Sequence, residues 1–280
     1  MRSYLIVSHD YTTKSAGVRA LHRLCHALNQ HGREAWITSP VVNPDWNTPA
    51  ADAETQAALA RDGIVVYPEV EDGNPLDARR VVRYLLNKPG LVRPARHLEG
   101  EVRFAYCGLL RPFVSDYDHI LYVPVIERDL FYPPQEPAER AGSLWWKGKE
   151  AKTLSVILDE WPEPSLEIAP DWPKTRRELA DLFRGAKRFF SHTCYTALVL
   201  EARLCGCPTV VFPNEHWSSR IEFQIRTPAG MAGLAWGMDN FRWAENTVHM
   251  FPPAYDRLAA QFPAMLDRFI RITQRMEVMP

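Results

Sequence analysis

Short apolar runs alternate with amphipathic stretches along the first third of the chain. Residues 3–8 predict a buried strand, and apolar positions at helical spacing from Val18 to Leu28 predict a helix that ends at Gly32. Residues 33–39 form a second apolar run and predict the next strand. This strand–loop–helix–strand order is typical of an α/β domain with a parallel sheet.

The pattern then predicts a basic helix between further strands. Residues 63–68, 102–110 and 119–125 predict strands, and residues 76–87 predict a helix stopped by Lys88-Pro89-Gly90. Its exposed side would carry Arg79, Arg80 and Arg83. Such a face suits an anionic membrane surface or a phosphate-rich acceptor, and a plain solvated face is the alternative.

The second half repeats the alternation of strands and helices. Residues 142–149, 165–169 and 234–238 predict strands, and residues 241–249 and 255–276 predict helices. Another predicted helix, at residues 175–183, has Thr175 as its N-cap and Glu178 three residues later, which is a capping box. These elements predict a second α/β domain.

Residues 187–214 carry the most specific pattern in the chain. They predict a strand at 188–191, a helix over 197–204 that Gly206 and Pro208 stop, and a buried strand at 209–212. The loop after the first of these strands leads directly into the helix. Free backbone N–H groups at such a helix start suit a phosphate.

Composition narrows the class of protein. Hydrophobic residues make up 46% of the 280 residues and charged residues 24%, which is ordinary for a globular protein. The formal net charge of −1 gives no electrostatic case for a nucleic-acid-binding protein. No apolar run approaches the ~20 residues of a membrane span, and residues 1–10 lack the form of a signal peptide. Five scattered cysteines indicate reduced thiols, so we expect a cytoplasmic protein.

The segment from Thr196 to Val211 resembles the donor-binding segment of GT-B glycosyltransferases of the retaining, glycogen-synthase-like kind (glycosyltransferase family 4). Glu201 falls on the second of two glutamates in that family's pattern. Gly206 and Pro208 fall on its Gly-x-Pro, whereas Thr193 occupies the position of the first glutamate, which is a departure. In that family the second glutamate holds the nucleotide ribose and the first contacts the donor sugar. The alternative is a plain α/β crossover in which Glu201 is a solvated helix residue.

The resemblance implies a complete architecture. It implies a GT-B fold, with two Rossmann-like α/β domains facing across a cleft and a C-terminal helix that crosses back to the first domain. We place the acceptor-side domain at residues 1–135, the nucleotide-sugar domain at 136–254 and the crossing helix at 255–280. Residues 127–137 would form the hinge.

Further donor-binding residues follow from this resemblance. The loop and helix start supply Thr193, Tyr195, Thr196 and Ala197, the basic turn supplies Lys147 and Lys149, the loop before the predicted capped helix supplies Pro170 and Trp172, and the first loop of the chain supplies Ser15 and Gly17. The lysines would neutralise the donor diphosphate, or be solvated residues of a turn. The indole of Trp172 would stack on the nucleotide base, or pack the loop onto its own domain.

The acceptor side is expected at the carboxyl end of the first strand. His9 and Asp10 follow that strand, and open α/β sheets place ligands at this edge. A histidine exchanges protons near neutrality, so His9 would serve in proton transfer to or from a hydroxyl, with Asp10 orienting it or acting itself. The alternative is that His9 caps the sheet edge and Asp10 begins a turn.

These observations predict a glycosyltransferase that takes its sugar from a nucleotide-sugar donor. Retention of configuration and donor handling without a metal or other cofactor are implied by the resemblance. The acceptor stays open between a glycan, a lipid-linked precursor, a small molecule and a modified nucleic-acid base, and contact with the membrane periphery would use the basic helix. One alternative is a nucleotide-sugar-binding protein without transfer. Another is an NAD-dependent oxidoreductase, which the missing Gly-x-Gly-x-x-Gly disfavours.

Overall fold

A computed structural model describes residues 1–136, 139–148 and 165–279 of the chain. Contacts divide the chain into two compact units. The first unit comprises Met1–Val125 together with Ala259–Pro280, and the second comprises Ile126–Leu258. Each unit is built around its own five-stranded sheet.

The first unit begins with alternating strands and helices. Its strands are β1 Tyr4–Ile6, β2 Ala35–Ile37, β3 Ile64–Pro68, β4 Val81–Leu85 and β5 Val102–Ala105. Its first two helices are α1 Ala16–Gln30 and α2 Ala53–Asp62. Short 3-10 turns at Gly108–Phe113 and Tyr117–His119 follow β5.

The second unit continues the alternation. Its strands are β6 Ser143–Trp146, β7 Ser165–Glu167, β8 Arg188–Ser191, β9 Thr209–Val211 and β10 Leu234–Trp236. Its helices are α3 Arg176–Gly185, α4 Ala197–Leu204, α5 Arg220–Arg226, α6 Phe241–Thr247 and α7 Phe251–Ala259. The chain ends with α8 Phe262–Thr273, which belongs to the first unit.

The two sheets share one topology. Their orders are β2-β1-β3-β4-β5 and β7-β6-β8-β9-β10, and neighbouring strands pair in parallel throughout. In the first sheet, β2 is added on one side of β1 and β3 on the other side, so the strand order reverses between β1 and β3. In the second sheet the strand order reverses in the same way between β6 and β8. Open α/β sheets bind ligands outside the carboxyl ends of strands at such switch points. The sequence-based fold class, α/β of the GT-B type, is therefore confirmed in its two parallel sheets with helices.

The apolar runs become strands because parallel strands are covered on both faces. Every residue of β1, β3 and β4 is buried, which matches the continuous rather than alternating apolar pattern of such strands.

In the second unit the predicted capping box is present. The side chain of Thr175 accepts from the backbone N–H of Glu178, and the side chain of Glu178 accepts from the backbone N–H of Thr175. The cap fixes where α3 begins.

The predicted basic helix at residues 76–87 is wrong. Residues Val81–Leu85 form the strand β4, between β3 and β5, and Arg83 within it is fully buried rather than exposed. Its guanidinium lies 3.0 Å from the carboxylate of Glu101 and donates to three backbone carbonyl oxygens. The membrane-facing helix carrying Arg79, Arg80 and Arg83 therefore does not exist in this form.

Other boundaries also differ from the pattern. The apolar pattern predicts neither α2 nor α5, which are both short helices beside polar loops. Residues 119–125 contribute one isolated bridge, from Ile120 to Ala105, instead of a full strand. The single helix expected over residues 255–276 is divided into α7 and α8, because Pro263 in the first turn of α8 starts a new helix.

The segment after Val125 packs within the second unit. Arg176 of α3 pairs with Glu127, and Arg184 of α3 donates to the carbonyl oxygen of Leu130. These contacts explain why the first unit ends at Val125, whereas the sequence reading placed the boundary after residue 135.

At the other end of the chain, α8 packs on the first unit. Tyr4 of β1 and Thr273 of α8 share a buried hydrogen bond of 2.7 Å, and the ring of Phe269 lies against Phe104. No helix among the described residues is long and apolar enough to span a membrane.

Candidate functional site

The start of α4 lies at the carboxyl edge of the second sheet. Thr196 has extended backbone and caps the helix, its side chain accepting from the N–H of Leu198 at 3.4 Å. Ala197 is the first residue of the helix. The N–H of Val199 donates to the carbonyl oxygen of Thr196 at 3.2 Å. As the first residue of the helix, Ala197 has an N–H without an acceptor inside the helix, and such a group is available to an anion.

The strands β6 and β8 meet beside this helix start. Trp146 pairs with Ser191 at the ends of the two strands, and the N–H of His192 donates to the carbonyl oxygen of Trp146 at 3.2 Å. Lys147 follows directly after β6 and is half-buried. The switch point thus brings a lysine and a helix N-terminus to the same edge of the sheet. Lys149 lies outside the described residues.

Glu201 is enclosed by an ion pair inside the second unit. Its side chain is 1% exposed, and its Oε1 lies 2.8 Å from Nη2 of Arg176. The same nitrogen of Arg176 lies 2.6 Å from Oε2 of Glu127. A carboxylate buried to this extent is not the solvated helix residue of the alternative interpretation, because it is held by a charge from α3.

Electrostatics favour the charged form of this arginine. Burial lowers the pKa of Arg176, but the carboxylates of Glu201 and Glu127 more than offset this and raise the pKa above its ordinary value. The guanidinium carbon also lies 4.5 Å from the ring centre of Phe131. Arg176 therefore carries a permanent positive charge that aligns one oxygen of Glu201.

Sequence reasoning missed Arg176, although a local signal was present. Arg176 is the first residue of α3, where the helix dipole disfavours a positive charge. An acidic partner from elsewhere in the fold offsets the unfavourable dipole at that position. Its two partners, Glu127 and Glu201, are remote in sequence and no local pattern identifies them.

The loop after β8 is tied to the loop after β9. The side chain of Asn214 donates to the carbonyl oxygen of His192 at 2.8 Å and accepts from the N–H of Trp217 at 3.0 Å. The rings of Tyr195 and Trp217 lie 5.9 Å apart. Thr193, at the position of the family's first glutamate, is 3% exposed and accepts from Ser191 through its carbonyl oxygen.

Trp172 lies along α3, on the rim of an open groove. The groove has a volume of about 640 Å³, and its walls include Leu144, Leu166 and Leu182. Trp172 and the neighbouring Ala169 exchange backbone hydrogen bonds, and Pro170 between them is exposed. The groove also includes Gly142, which precedes β6 at the amino edge of the sheet. This placement fits the alternative that Trp172 packs the loop onto its own unit.

In the first unit, the predicted residues surround the carboxyl end of β1. His9 and Asp10 are exposed. Ser15 caps α1 by accepting from the N–H of Val18 at 3.3 Å, and Gly17 lies in the first turn of that helix. The strand, its loop and the helix start thus present these four residues at one edge of the first sheet.

The sequence reading missed two buried residues beneath this loop. His22 of α1 is 0% exposed, and its Nε2 lies 3.1 Å from the carbonyl oxygen of His9. Ser39, after β2, is 3% exposed and donates to Oδ1 of Asp10 at 2.9 Å. A histidine within an apolar helical face was the available signal for the first of them.

Within the ranges that the structure describes, no group of three or more His, Cys, Asp or Glu side chains is arranged to hold a metal ion.

The fold of this chain is similar to that of solved protein structures, although the sequences differ. No protein-family model matches the chain, and no curated protein matches it in sequence. The crystal structure of a glycosyltransferase from Rickettsia africae ESF-5 is similar with a TM-score of 0.52 at 10% identity, and the match covers 99% of both chains.

Two other structures are similar at lower scores. The glycosyltransferase SnogD from Streptomyces nogalater has a TM-score of 0.42 at 14% identity, covering 98% of this chain and all of the other. MurG from Acinetobacter baumannii has a TM-score of 0.40 at 12% identity, covering 98% and 96%.

Proposed function

We propose that this chain is a glycosyltransferase that moves a sugar from a nucleotide-sugar donor to an acceptor hydroxyl or related nucleophile. The observation that carries the proposal is the β6/β8 switch point, where Lys147 and the start of α4 lie at one sheet edge. This edge belongs to a two-unit α/β chain whose fold is similar to that of a glycosyltransferase structure over nearly its whole length.

The second unit would hold the donor. The diphosphate would receive hydrogen bonds from the N–H of Ala197 at the start of α4 and from Lys147. Glu201 would accept from the ribose hydroxyls, with Arg176 fixing its orientation. Thr193, Tyr195 and Thr196 would lie beside the phosphates and sugar. Support for this arrangement comes from their shared position at the carboxyl edge of the sheet.

The first unit would supply the proton-transfer groups. In transfer, the bond between the anomeric carbon and the diphosphate oxygen breaks, and a bond from the acceptor oxygen to that carbon forms. The acceptor proton must leave at the same time. His9 or Asp10 would take it directly or through the departing diphosphate. Retention of configuration and metal-free charge stabilisation are proposed from the resemblance of the segment around Glu201.

A nucleotide-sugar-binding protein without transfer is the second candidate. The observation that favours it is Thr193, which replaces the family's sugar-contacting glutamate and is 3% exposed. A side chain buried to that extent offers less to a donor sugar than a carboxylate would. Release of nucleoside diphosphate from a donor separates the two candidates, because a binding protein holds the donor intact.

Ligand stabilisation is the first test of the proposal. UDP, GDP, dTDP and NAD are compared by thermal unfolding in buffer that contains EDTA. A ligand at ~100 times its dissociation constant stabilises the folded protein by about 2.7 kcal/mol. We expect one nucleoside diphosphate to stabilise the protein and NAD to leave it unchanged. Stabilisation by NAD alone would contradict the proposal, and stabilisation that appears only when Mg²⁺ replaces EDTA would contradict its metal-free form.

The variant Glu201→Gln tests the donor site itself. Loss of a hydrogen bond to a charged group is expected to weaken nucleotide binding by about 1–3 kcal/mol, measured by titration calorimetry. Glu245→Gln is the matched control, since Glu245 is exposed on α6. Equal affinity of both variants for the nucleotide, with the fold intact, would remove Glu201 from the site.

A further inference from the structure

The loop after β1 is held from beneath by a fully buried histidine. His22 lies in the second turn of α1 with none of its surface exposed. Its Nε2 is 3.1 Å from the backbone carbonyl oxygen of His9. A carbonyl oxygen only accepts, so Nε2 carries the proton and donates to it. His22 therefore donates from Nε2, and its one described hydrogen bond is to the backbone of His9.

The packing of Tyr11 fixes this histidine ring. The ring centres of Tyr11 and His22 lie 5.2 Å apart in an edge-on arrangement. The hydroxyl of Tyr11 accepts from the side chain of Asn43 at 3.1 Å. The backbone N–H of Tyr11 donates to the carbonyl oxygen of Val41 at 2.9 Å. Tyr11 thus connects the loop after β1 to the loop after β2.

Ser39 provides the second anchor, from the neighbouring strand. It is 3% exposed, and its Oγ lies 2.9 Å from Oδ1 of Asp10 and 2.9 Å from the carbonyl oxygen of Val41. The N–H of Val41 in turn lies 3.2 Å from Oγ of Ser39. The carboxylate of Asp10 is therefore oriented by a buried hydroxyl, while Asp10 itself is exposed.

The two anchors act on consecutive residues with different chemistry. His22 restrains the backbone at His9, and Ser39 restrains the side chain at Asp10. Holding a residue in a single backbone conformation costs conformational entropy. Two buried donors that meet this cost in advance keep a surface loop in one geometry before any ligand arrives.

We infer that His22 and Ser39 are positioning residues for sugar transfer: they hold the loop after β1 so that His9 and Asp10 meet the acceptor in a fixed geometry. This inference rests on the proposed function. It adds two buried residues that would not touch donor or acceptor and that act only through His9 and Asp10.

Paired variants test the inference. His22→Leu removes the donor, whereas His22→Gln keeps an N–H at a similar reach. Ser39→Ala removes the hydroxyl, whereas Ser39→Thr keeps it. Thermal unfolding first establishes that each variant is folded. Amide hydrogen exchange at residues 9–11 and release of nucleoside diphosphate from UDP-glucose, GDP-mannose and dTDP-glucose are then measured, with water as acceptor.

For His22→Leu and Ser39→Ala we expect faster exchange at residues 9–11. We also expect kcat to fall by roughly tenfold to a hundredfold, the size of effect that a small misplacement of reacting groups produces. The donor KM should stay within about twofold, because Lys147, Glu201 and the start of α4, which are proposed to hold the diphosphate and the ribose, belong to the second unit. His22→Gln and Ser39→Thr should restore both readouts.

The contrary outcomes are distinct. If amide exchange at residues 9–11 and kcat in His22→Leu and Ser39→Ala both equal those of the wild-type protein, the positioning role is overturned. A raised KM at unchanged kcat also overturns it, since the residues would then act on donor binding. If the wild-type protein releases diphosphate from none of the donors and binds none of them, the proposed function itself fails. In that case altered exchange would show only that the anchors hold the loop.

Discussion

Arg176 is the residue on which the geometry of Glu201 depends. One of its nitrogens contacts both Glu201 and Glu127, and the buried glutamate is 1% exposed. Removing one member of a buried ion pair leaves the other charge uncompensated, at a cost of about 3–5 kcal/mol. Removing Arg176 alone is therefore expected to cost more stability than removing it from a protein in which Glu201 is already neutral.

A double-mutant cycle measures this dependence. Arg176→Met, Glu201→Gln and the double variant are compared by urea unfolding. We expect the double variant to lose less stability than the sum of the single variants, by about 1–3 kcal/mol. The control is the pair of half-buried Arg226 and exposed Glu222, which lie 3.8 Å apart on α5 and should couple by less than about 1 kcal/mol. Additive losses at Arg176 and Glu201 would show that the contact contributes no coupling.

His22 gives the first unit a dependence on pH. Burial lowers the pKa of His22, although its hydrogen bond to His9 and the charge of Asp10 act in the opposite direction. Above the unfolded value of 6.5, both states are neutral and the shift has no effect. Below it, the unfolded chain binds a proton that the folded protein does not, so the free energy of unfolding falls as pH decreases.

The corresponding measurement compares unfolding at several pH values. We expect wild-type protein to lose more stability between pH 7 and pH 5 than His22→Gln, which cannot titrate at this position. His26, which is partly buried on the same helix, also has a pKa that burial lowers and that the charge of Arg23 lowers further. The variant His26→Gln therefore serves as the control, because it measures how much of the pH dependence comes from His26. Parallel curves for wild type and His22→Gln would contradict the assignment of a buried, neutral His22.

At the scale of elements, the end of α4 depends on one glycine. Gly206 has a φ of +70°, in the left-handed region that glycine adopts without strain. A methyl group added there would lie 2.9 Å from the guanidinium of Arg140. That arginine donates to the carbonyl oxygens of Phe183 and Ala186 at the end of α3, and to Cys205 at the end of α4. The side chain of Arg140 thus supplies hydrogen-bond donors to carbonyl oxygens at the ends of both α3 and α4.

Two alanine variants separate backbone strain from crowding at this point. Gly32, after α1, has a φ of +69° and no atom within 4 Å of an added methyl group. Gly32→Ala should cost about 1 kcal/mol from the left-handed backbone alone. Gly206→Ala should cost more, because Arg140 must also move. Equal losses of unfolding free energy in the two variants would show that Arg140 yields freely.

At the scale of the whole molecule, each unit has its own core, and the end of the chain belongs to the first. Phe269 of α8 is fully buried, with its ring 4.8 Å from Phe104 of β5 and 5.8 Å from Tyr4 of β1. Phe183 of α3 is equally buried in the second unit, 5.2 Å from Phe189 of β8. These two residues form a matched pair for testing the division of the chain.

Hydrogen exchange can test this division directly. Phe269→Ala and Phe183→Ala should each destabilise the protein by about 3–5 kcal/mol, the range for a buried aromatic ring. We expect Phe269→Ala to accelerate exchange in β1 and β5, and Phe183→Ala to accelerate exchange in β6 and β8. Acceleration of both sheets by either variant would mean that the two units open as one.

Local patterns were sufficient for much of the fold. The alternation of strands and helices, the capping box at Thr175 and the helix stop at Gly206 all follow from residues close together in sequence. Such signals act within a turn or two of helix, so they can be read without knowing the packing. For the same reason, the β8–α4–β9 unit that carries Thr193, Thr196 and Glu201 could be placed from the sequence.

Contacts between remote residues decided the rest. Three arginines at residues 79–83 suggest an exposed helix face, but Glu101, 18 residues away, neutralises Arg83 and permits a buried strand. Glu127 and Glu201 likewise give Arg176 its place, and α8 joins the first unit after the whole second unit has intervened. A buried charge is stable only beside its partner. The sequence therefore determined which segments form elements, and the tertiary structure decided which charges lie inside them.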